Sequence, residues 1–236
     1  MRREGYELTV GQPQVLVKDI DGTKSEPYEV LVVDVPEEFA SKVIDLVTRR
    51  KGELHVMETK GEMQHLEFEI PSRGLIGLRT NMLTATAGEA VMAHRFLDYK
   101  PWKGAIPGRN NGVMLSKDAG STTGYSLDKL QDRGFFFVDP GEDVYAGMII
   151  GESNKPGDLV VNPNEGKKLT NHRASGSDAA TSITPKTLLT LEECMEYIQQ
   201  DECIEVTPNN IRMRKVILEE NERNRVNKSM KSEAAG

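Results

Sequence analysis

The sequence predicts an α+β chain, a β-α-β-β-α-β unit followed by a β-rich unit with one clear helix. Three observations carry that prediction. Between residues 26 and 100, strand-like alternation and helix-like spacing succeed one another in that order. Beyond residue 101 the apolar runs become short and are separated by turn signals such as Asp139-Pro140-Gly141 and Lys155-Pro156-Gly157. Finally, Thr190 and Glu193 form a capping box ahead of Leu191, Cys194, Met195 and Ile198, which share one helical face.

Each element has its own justification. Tyr6–Val10 and Gln14–Lys18 read as two strands joined by Gly11-Gln12-Pro13; two strands alone are marginal in water and call for a partner sheet. Val30–Val33 is a continuous apolar run suited to a buried strand. Pro36 then suits a helix's first turn, Glu37 and Glu38 favour its positive end, and Phe39, Val43, Leu46 and Val47 recur at helical spacing until Gly52. Glu53–Thr59 and Met63–Ile70 make two strands, with Leu66, Phe68 and Ile70 on one buried face. Pro71 opens a second helix with Leu75, Leu78, Met82 and Leu83 inward, and Ala90–Tyr99 is the last strand. This order is the ferredoxin-like split βαβ arrangement. Further on, Gly112–Ser116, Phe135–Val138, Val144–Ile150 and Leu159–Val161 read as strands, and Ile204–Val206 and Ile211–Val216 as a hairpin. Arg212 and Arg214 share one face of that last strand and Lys215 takes the other. The expected segments are 1–20, 21–100, 101–218 and a polar tail at 219–236.

Composition narrows the function. Of 236 residues, 37% are apolar and 28% charged, enough to bury cores. No apolar run approaches the ~20 residues of a membrane span, and no secretory leader is present. Cys194 and Cys203 give neither a disulfide framework nor a metal-ligand spacing with the scattered histidines. The chain reads as cytoplasmic, monomeric, and without membrane or metal. Its net charge of −7 is segregated. Tyr99–Lys117 carries Lys100, Lys103, Arg109 and Lys117 with no acid; Thr187–Asn210 carries Glu192, Glu193, Glu196, Asp201, Glu202 and Glu205 with no base. Segregated charge lets an acidic protein bind phosphate on one face; ordinary surface variation accounts for it equally well.

Catalytic signals fail on inspection. Gly120-Ser121-Thr122-Thr123-Gly124 lacks the Gly-Lys-Ser/Thr of a phosphate loop. In Asn154-Lys155-Pro156-Gly157-Asp158 the aspartate is one residue too far for guanine reading, and Ser175-Gly176-Ser177 is no nucleophile elbow. The long polar stretch Asn162–Thr184 is of the length that is usually functional or disordered. Within it Lys167, Lys168 and Arg173 offer cations for phosphate, Asn171 and Ser175 can bond sugar or phosphate oxygens, and Gly166 and Gly176 allow close approach. A solvated loop is the bland alternative. Lys103, Arg109 and Lys117 form a second candidate basic patch, with Arg212 and Arg214 a third.

Several longer motifs carry a family resemblance. Ile70-Pro71-Ser72-Arg73-Gly74-Leu75-Ile76-Gly77-Leu78-Arg79 resembles domain V of the TypA family and the related LepA family, and Met1–Leu8 resembles the end of domain III in elongation factor G-like GTPases. Gly108-Arg109-Asn110-Asn111-Gly112, Leu130–Gly134, Val144–Glu152, Lys167–Asn171, Arg173–Gly176 and Glu205–Pro208 resemble the TypA/BipA family specifically. The resemblance implies remnant domain III strands at 1–20, domain V at 21–100 and the TypA/BipA-specific domain at 101–218. It implies a ribosome-binding GTPase parent acting in stress adaptation, translation and large-subunit assembly, whose GTP and Mg2+ belong to a missing N-terminal domain. This chain would then hold no cofactor and catalyse nothing. Its partners would be the 70S ribosome or large subunit, 23S rRNA and A-site tRNA, with Gly166–Gly176 reaching the tRNA acceptor end. His172 stands where methionine is expected. The competing expectation is a protein-interaction module docking through the acidic helix Thr190–Gln200.

Overall fold

The computed structural model describes residues 4–106, 108–166 and 183–233. Contacts divide the chain into two units: Pro13–Gly108, and Met1–Gln12 together with Arg109–Gly236. Strand β1 (Leu8–Gly11) belongs to the discontinuous unit and is taken up with it.

The continuous unit runs β2 (Lys18–Ile20), β3 (Thr23–Pro36), α1 (Glu37–Arg49), β4 (Glu53–Lys60), β5 (Met63–Pro71), α2 (Leu78–Ala85) and β6 (Val91–Pro101). Long β3 is central. It pairs antiparallel with β5 on one side and β6 on the other, β4 extends β5, and β2 hairpins onto the start of β3. Alternation in β5 buries Gln64, Leu66, Phe68 and Ile70, as its sequence pattern predicts. These meet Leu31, Val33 and Val35 of β3, Ala40, Val43 and Val47 of α1, and Leu78 and Met82 of α2 in one core. Full burial of such side chains contributes about 1.5–3 kcal/mol each.

The second helix departs from its sequence expectation. Pro71 does not open it; Pro71 is extended (ψ 135°) and pairs with Tyr28, so sheet pairing holds it. A 3-10 turn, Ser72–Leu75, follows, and α2 starts only after Gly77, whose φ of 69° is left-handed and reserved for glycine at low cost. Leu78 and Met82 are buried, whereas Leu83, expected inward, is exposed.

Two polar devices lock this unit. Glu26 is fully buried and receives Arg73 Nε and Nη2 (2.5 and 3.0 Å) and the Lys103 backbone N–H (3.0 Å). The Arg73 guanidinium also donates to the Gly104 carbonyl and stacks 3.9 Å from the Trp102 ring centroid. On the β5 surface, His65 Nδ1 lies 2.6 Å from Asp34 and Nε2 3.2 Å from Glu67. Bonding to Asp34 first and Glu67 second raises the His65 pKa above its ordinary 6.5. A raised folded-state value means that this stabilisation is full below pH 6.5 and is lost as pH rises through the folded value. Urea midpoints of the whole chain taken upward from pH 6 should therefore fall more steeply in wild type than in His65→Gln; parallel curves would exclude the linkage.

The discontinuous unit adds β7 (Val113–Ser116), β8 (Gly120–Ser121), α3 (Gly124–Leu130), β9 (Gly134–Phe136), β10 (Asp143–Val144), β11 (Met148–Ser153), β12 (Leu159–Val161), α4 (Leu191–Tyr197), β13 (Glu202–Val206), β14 (Ile211–Lys215) and α5 (Glu220–Glu233). Its main sheet has the order β1-β13-β14-β11-β7-β12, with β9 also on β11; β12 runs parallel to β7. Both faces are covered, so all four residues of β7 are buried. Met114 joins Leu127, Phe136 and Ile150 in one cluster, while Val113 and Leu115 join Ile149, Cys194, Ile204 and Met213 in another.

Several expectations change here. Tyr6–Val10 and Gln14–Lys18 are not a hairpin awaiting an outside partner. β1 pairs with β13 from Leu8↔Val206 to Gly11↔Cys203, whereas β2 begins at Lys18 and pairs with β3. The expected strand 144–150 is two strands, broken at Gly147 (φ 80°), where a Cβ would stand 2.8 Å from the Leu218 carbonyl oxygen. The α4 capping box is present, Thr190 and Glu193 each accepting the other's backbone N–H (3.2 and 2.7 Å). A second helix, α3, was not expected; Thr123 caps it by accepting the Ser126 N–H at 3.1 Å. The start of the polar tail is helical as α5.

Candidate nucleic-acid interface

Lys167, Lys168, Asn171, Arg173 and Ser175 lie outside the described residues, as does His172. The chain on both sides of them is described, and it is fixed to one place. Before them, Ser126 Oγ donates to the Asn162 carbonyl (2.6 Å), the Thr123 N–H to the Pro163 carbonyl (2.9 Å), and Thr123 Oγ1 to the Glu165 carbonyl (2.6 Å). After them, Ile183 packs on the core that holds Leu127, and its Cδ1 lies 3.4 Å from a Cβ placed on Gly124. The start of α3 thus anchors both ends.

Lys117 belongs to this root. Its N–H donates to the Val161 carbonyl (2.8 Å), and Asn164 Nδ2 donates to the neighbouring Asp118 carbonyl (3.3 Å). Lys117 is exposed and makes no ion pair among the described residues. On α3, exposed Lys129 sits 4.1 Å from the Tyr125 ring centroid. Bonding to Tyr125 raises the Lys129 pKa, so the ammonium stays charged. Sequence reading passed over this pair because α3 itself was unexpected.

Of the other candidate cations, all but Arg212 are committed elsewhere. Lys103 lies in the continuous unit, where it pairs with Glu53, whereas Arg109 and Lys117 belong to the discontinuous unit. Arg109 is a structural residue. Its side chain is only 10% exposed, with Nη2 2.9 Å and Nη1 3.3 Å from the Glu202 carboxylate and the guanidinium 4.4 Å from the Tyr197 ring centroid. Arg212 and Arg214 do share a face, but Arg214 Nε is 2.5 Å from Glu205 and its Nη1 donates to the Lys215 carbonyl (3.0 Å). Tyr145 also donates to Glu205 (2.5 Å), and burial, then that bond, pushes its pKa up. Arg212 makes no ion pair among the described residues.

Lys215 is the polar residue whose role the sequence did not reveal. It is 2% exposed, and its Nζ lies 2.7 Å from Asp158, 2.8 Å from Asp201 and 3.0 Å from Glu202. Desolvation pulls its pKa down, yet the carboxylates, led by Glu202, raise it overall. Strand alternation did place it opposite Arg212 and Arg214, beside buried Met213; a lysine on a core face is the available signal.

Chemistry by nucleophile or metal finds little here. Burial pushes the Cys194 thiol up to about 11, which leaves it protonated. Among the described residues no group of three or more His, Cys, Asp or Glu could hold a metal ion, and no helix is long and apolar enough to cross a membrane.

Comparison with known proteins agrees with the two-unit division. Residues 23–109 match the elongation factor G C-terminus family model, and residues 111–220 match the TypA/BipA C-terminal domain model. The chain is 45% identical over 234 residues to the large ribosomal subunit assembly factor BipA of Bacillus subtilis, covering 98% of this chain and 38% of that protein. It is 45% identical over 218 residues to the same-named protein of Synechocystis (92% and 36%), and 46% identical over 235 residues to that of Haemophilus influenzae (98% and 38%). The chain therefore spans well under half the length of these relatives.

Proposed function

Because the chain belongs to the TypA/BipA family, whose C-terminal region it carries, we propose that it is the RNA-contacting part of a cytoplasmic, ribosome-binding GTP hydrolase that acts in large-subunit assembly. Relatives bear the name large ribosomal subunit assembly factor, which supports the large subunit and its 23S rRNA as partners. GTP and Mg2+ fall to the part of the relatives that this chain does not span. Contact with A-site tRNA and a role in stress adaptation rest on the family resemblance.

The observation that carries the reading is the anchored root. The described residues on either side of 167–182, Glu165 and Ile183, meet at α3, beside an exposed Lys117 that no acid neutralises among the described residues. In this reading Lys167, Lys168 and Arg173, which fall between those two anchored flanks in sequence, supply the cations for phosphate. The acidic-helix alternative has less support, since one of its three acids and the three acids that follow the helix serve the fold. Glu193 caps α4, Asp201 and Glu202 hold Lys215, and Glu205 holds Arg214 and Tyr145.

Co-sedimentation with large subunits over a salt series tests this. With ~3 phosphates neutralised, log affinity should fall against log salt with a slope of roughly −2 to −3. The Lys167/Lys168/Arg173→Ala variant should flatten that slope. Equal pelleting of wild type and triple variant at every salt concentration would sink the assignment.

A further inference from the structure

The main sheet of the discontinuous unit comes apart at one place. β14 pairs with β13 along its whole length, Ile211 to Lys215, but pairs with β11 only at Met213 and Arg214. From Gly151 onward, β11 pairs on that edge with β9 instead, while β7 keeps its other edge. The Ile211–Arg212 half of β14 therefore has no ladder partner on that side among the described residues. Along a strand, successive residues direct N–H and C=O to opposite neighbours, so one of these two presents both groups to the opening.

A groove of about 480 Å³ occupies the opening, within the size range of ligand sites. Met148, Ile149, Cys194 and Met213 supply apolar surface, and Phe137 and Leu189 contribute more. Two charges line it without an ion-pair partner among the described residues: Arg212 on β14 and Asp143 on β10. The neighbouring acid Glu142 is neutralised by Lys186. The protein's own chain already uses extended backbone here, the Thr187 N–H donating to the Phe136 carbonyl at 2.9 Å.

We propose that this groove receives an extended peptide segment of a partner protein, which adds to the open edge of β14. Its central apolar side chains lie on the methionine-rich floor, an acidic side chain meets Arg212 and a basic one meets Asp143. Main-chain bonds to a sheet edge give affinity and side-chain pockets give selectivity. Charge complementarity also sets direction, because reversing the chain brings like charges together. The site is independent of the RNA reading, sharing with it only Arg212 among the original candidate cations.

The probes are two peptides of one composition, Ac-Lys-Val-Leu-Val-Glu-NH2 and Ac-Glu-Val-Leu-Val-Lys-NH2, titrated into the whole chain by NMR. One should bind at least ~10-fold more tightly than the other and shift the Ile211, Arg212 and Phe137 amides. Arg212→Gln and Asp143→Asn should each collapse that preference to within about twofold. Asn209→Trp, on the exposed turn at the groove's rim, should abolish binding while leaving the far-UV circular dichroism and the remaining amide shifts in place. Equal affinity of the two peptides, no binding, or shifts elsewhere would overturn the proposal. So would displacement of the bound peptide by a short single-stranded RNA, which would make the groove an RNA site.

Discussion

Lys215→Met is expected to lower the unfolding free energy of the discontinuous unit by about 3–5 kcal/mol. The ammonium is surrounded by Asp158, Asp201 and Glu202, and two of these acids have a second task. Asp158 Oδ1 accepts the Val113 N–H (3.0 Å), Glu202 Oε2 accepts the Gln199 N–H (2.9 Å), and Glu202 also holds Arg109. Methionine fills a similar volume but leaves three carboxylates, the buried Glu202 among them, with Arg109 as their one cation. The loss is thus the cost of a carboxylate cluster left with one cation too few, larger than the net worth of the pair. Trp102 is the only tryptophan and lies in the continuous unit, so it separates the two transitions. The urea midpoint by circular dichroism should shift while that by tryptophan fluorescence stays put. A loss below about 1 kcal/mol would mean that water reaches these carboxylates.

Arg73→Met should produce the converse pattern, a loss of about 3–5 kcal/mol confined to the continuous unit. Glu26 has no exposure, and its carboxylate relies on the Arg73 guanidinium and the Lys103 N–H. The same guanidinium ties down the Gly104 carbonyl and covers Trp102. Both the amplitude and the midpoint of tryptophan fluorescence should change, and the midpoint is the measure of stability. Arg73→Met combined with Glu26→Met should recover much of the loss, because no charge is then left buried. A double variant no better than the single would assign the effect to lost packing on Trp102 instead.

Legibility from sequence followed the range of the interactions. Strands β3 to β6 and helix α1 were readable because local pattern and tertiary burial agree: Leu66, Phe68 and Ile70 alternate, and Val43 and Val47 repeat at helical spacing. Where a distant partner decides, reading failed. Pro71 resembles a helix opener until Tyr28 claims it for the sheet. Gly147 sits inside an apolar run, and only its left-handed backbone reveals two strands. Arg109 reads as a phosphate ligand in a basic stretch, but Glu202, far along the chain, holds it. Charge runs record sequence proximity, whereas ion pairs are made in space. The cations at 167–173 could be singled out because that long stretch has almost no large apolar residues to commit it to a core.

The pairing of β1 with β13 bears on how the chain acquires its structure. Leu8 and Val206 are neighbours across a ladder although roughly 200 residues separate them in sequence, so closing that contact carries a large loop entropy. At the usual ~5–20 residues per second of synthesis, β1 waits about 10–40 s for its mate. The continuous unit has by then been made in full and can fold in the interval, which shortens the free chain that remains to be closed. Residues 8–11 are thus made long before β13 and are among the last to be paired. During that interval the apolar Leu8 and Val10 have no native partners, and this is when the nascent chain is most open to wrong strand pairing.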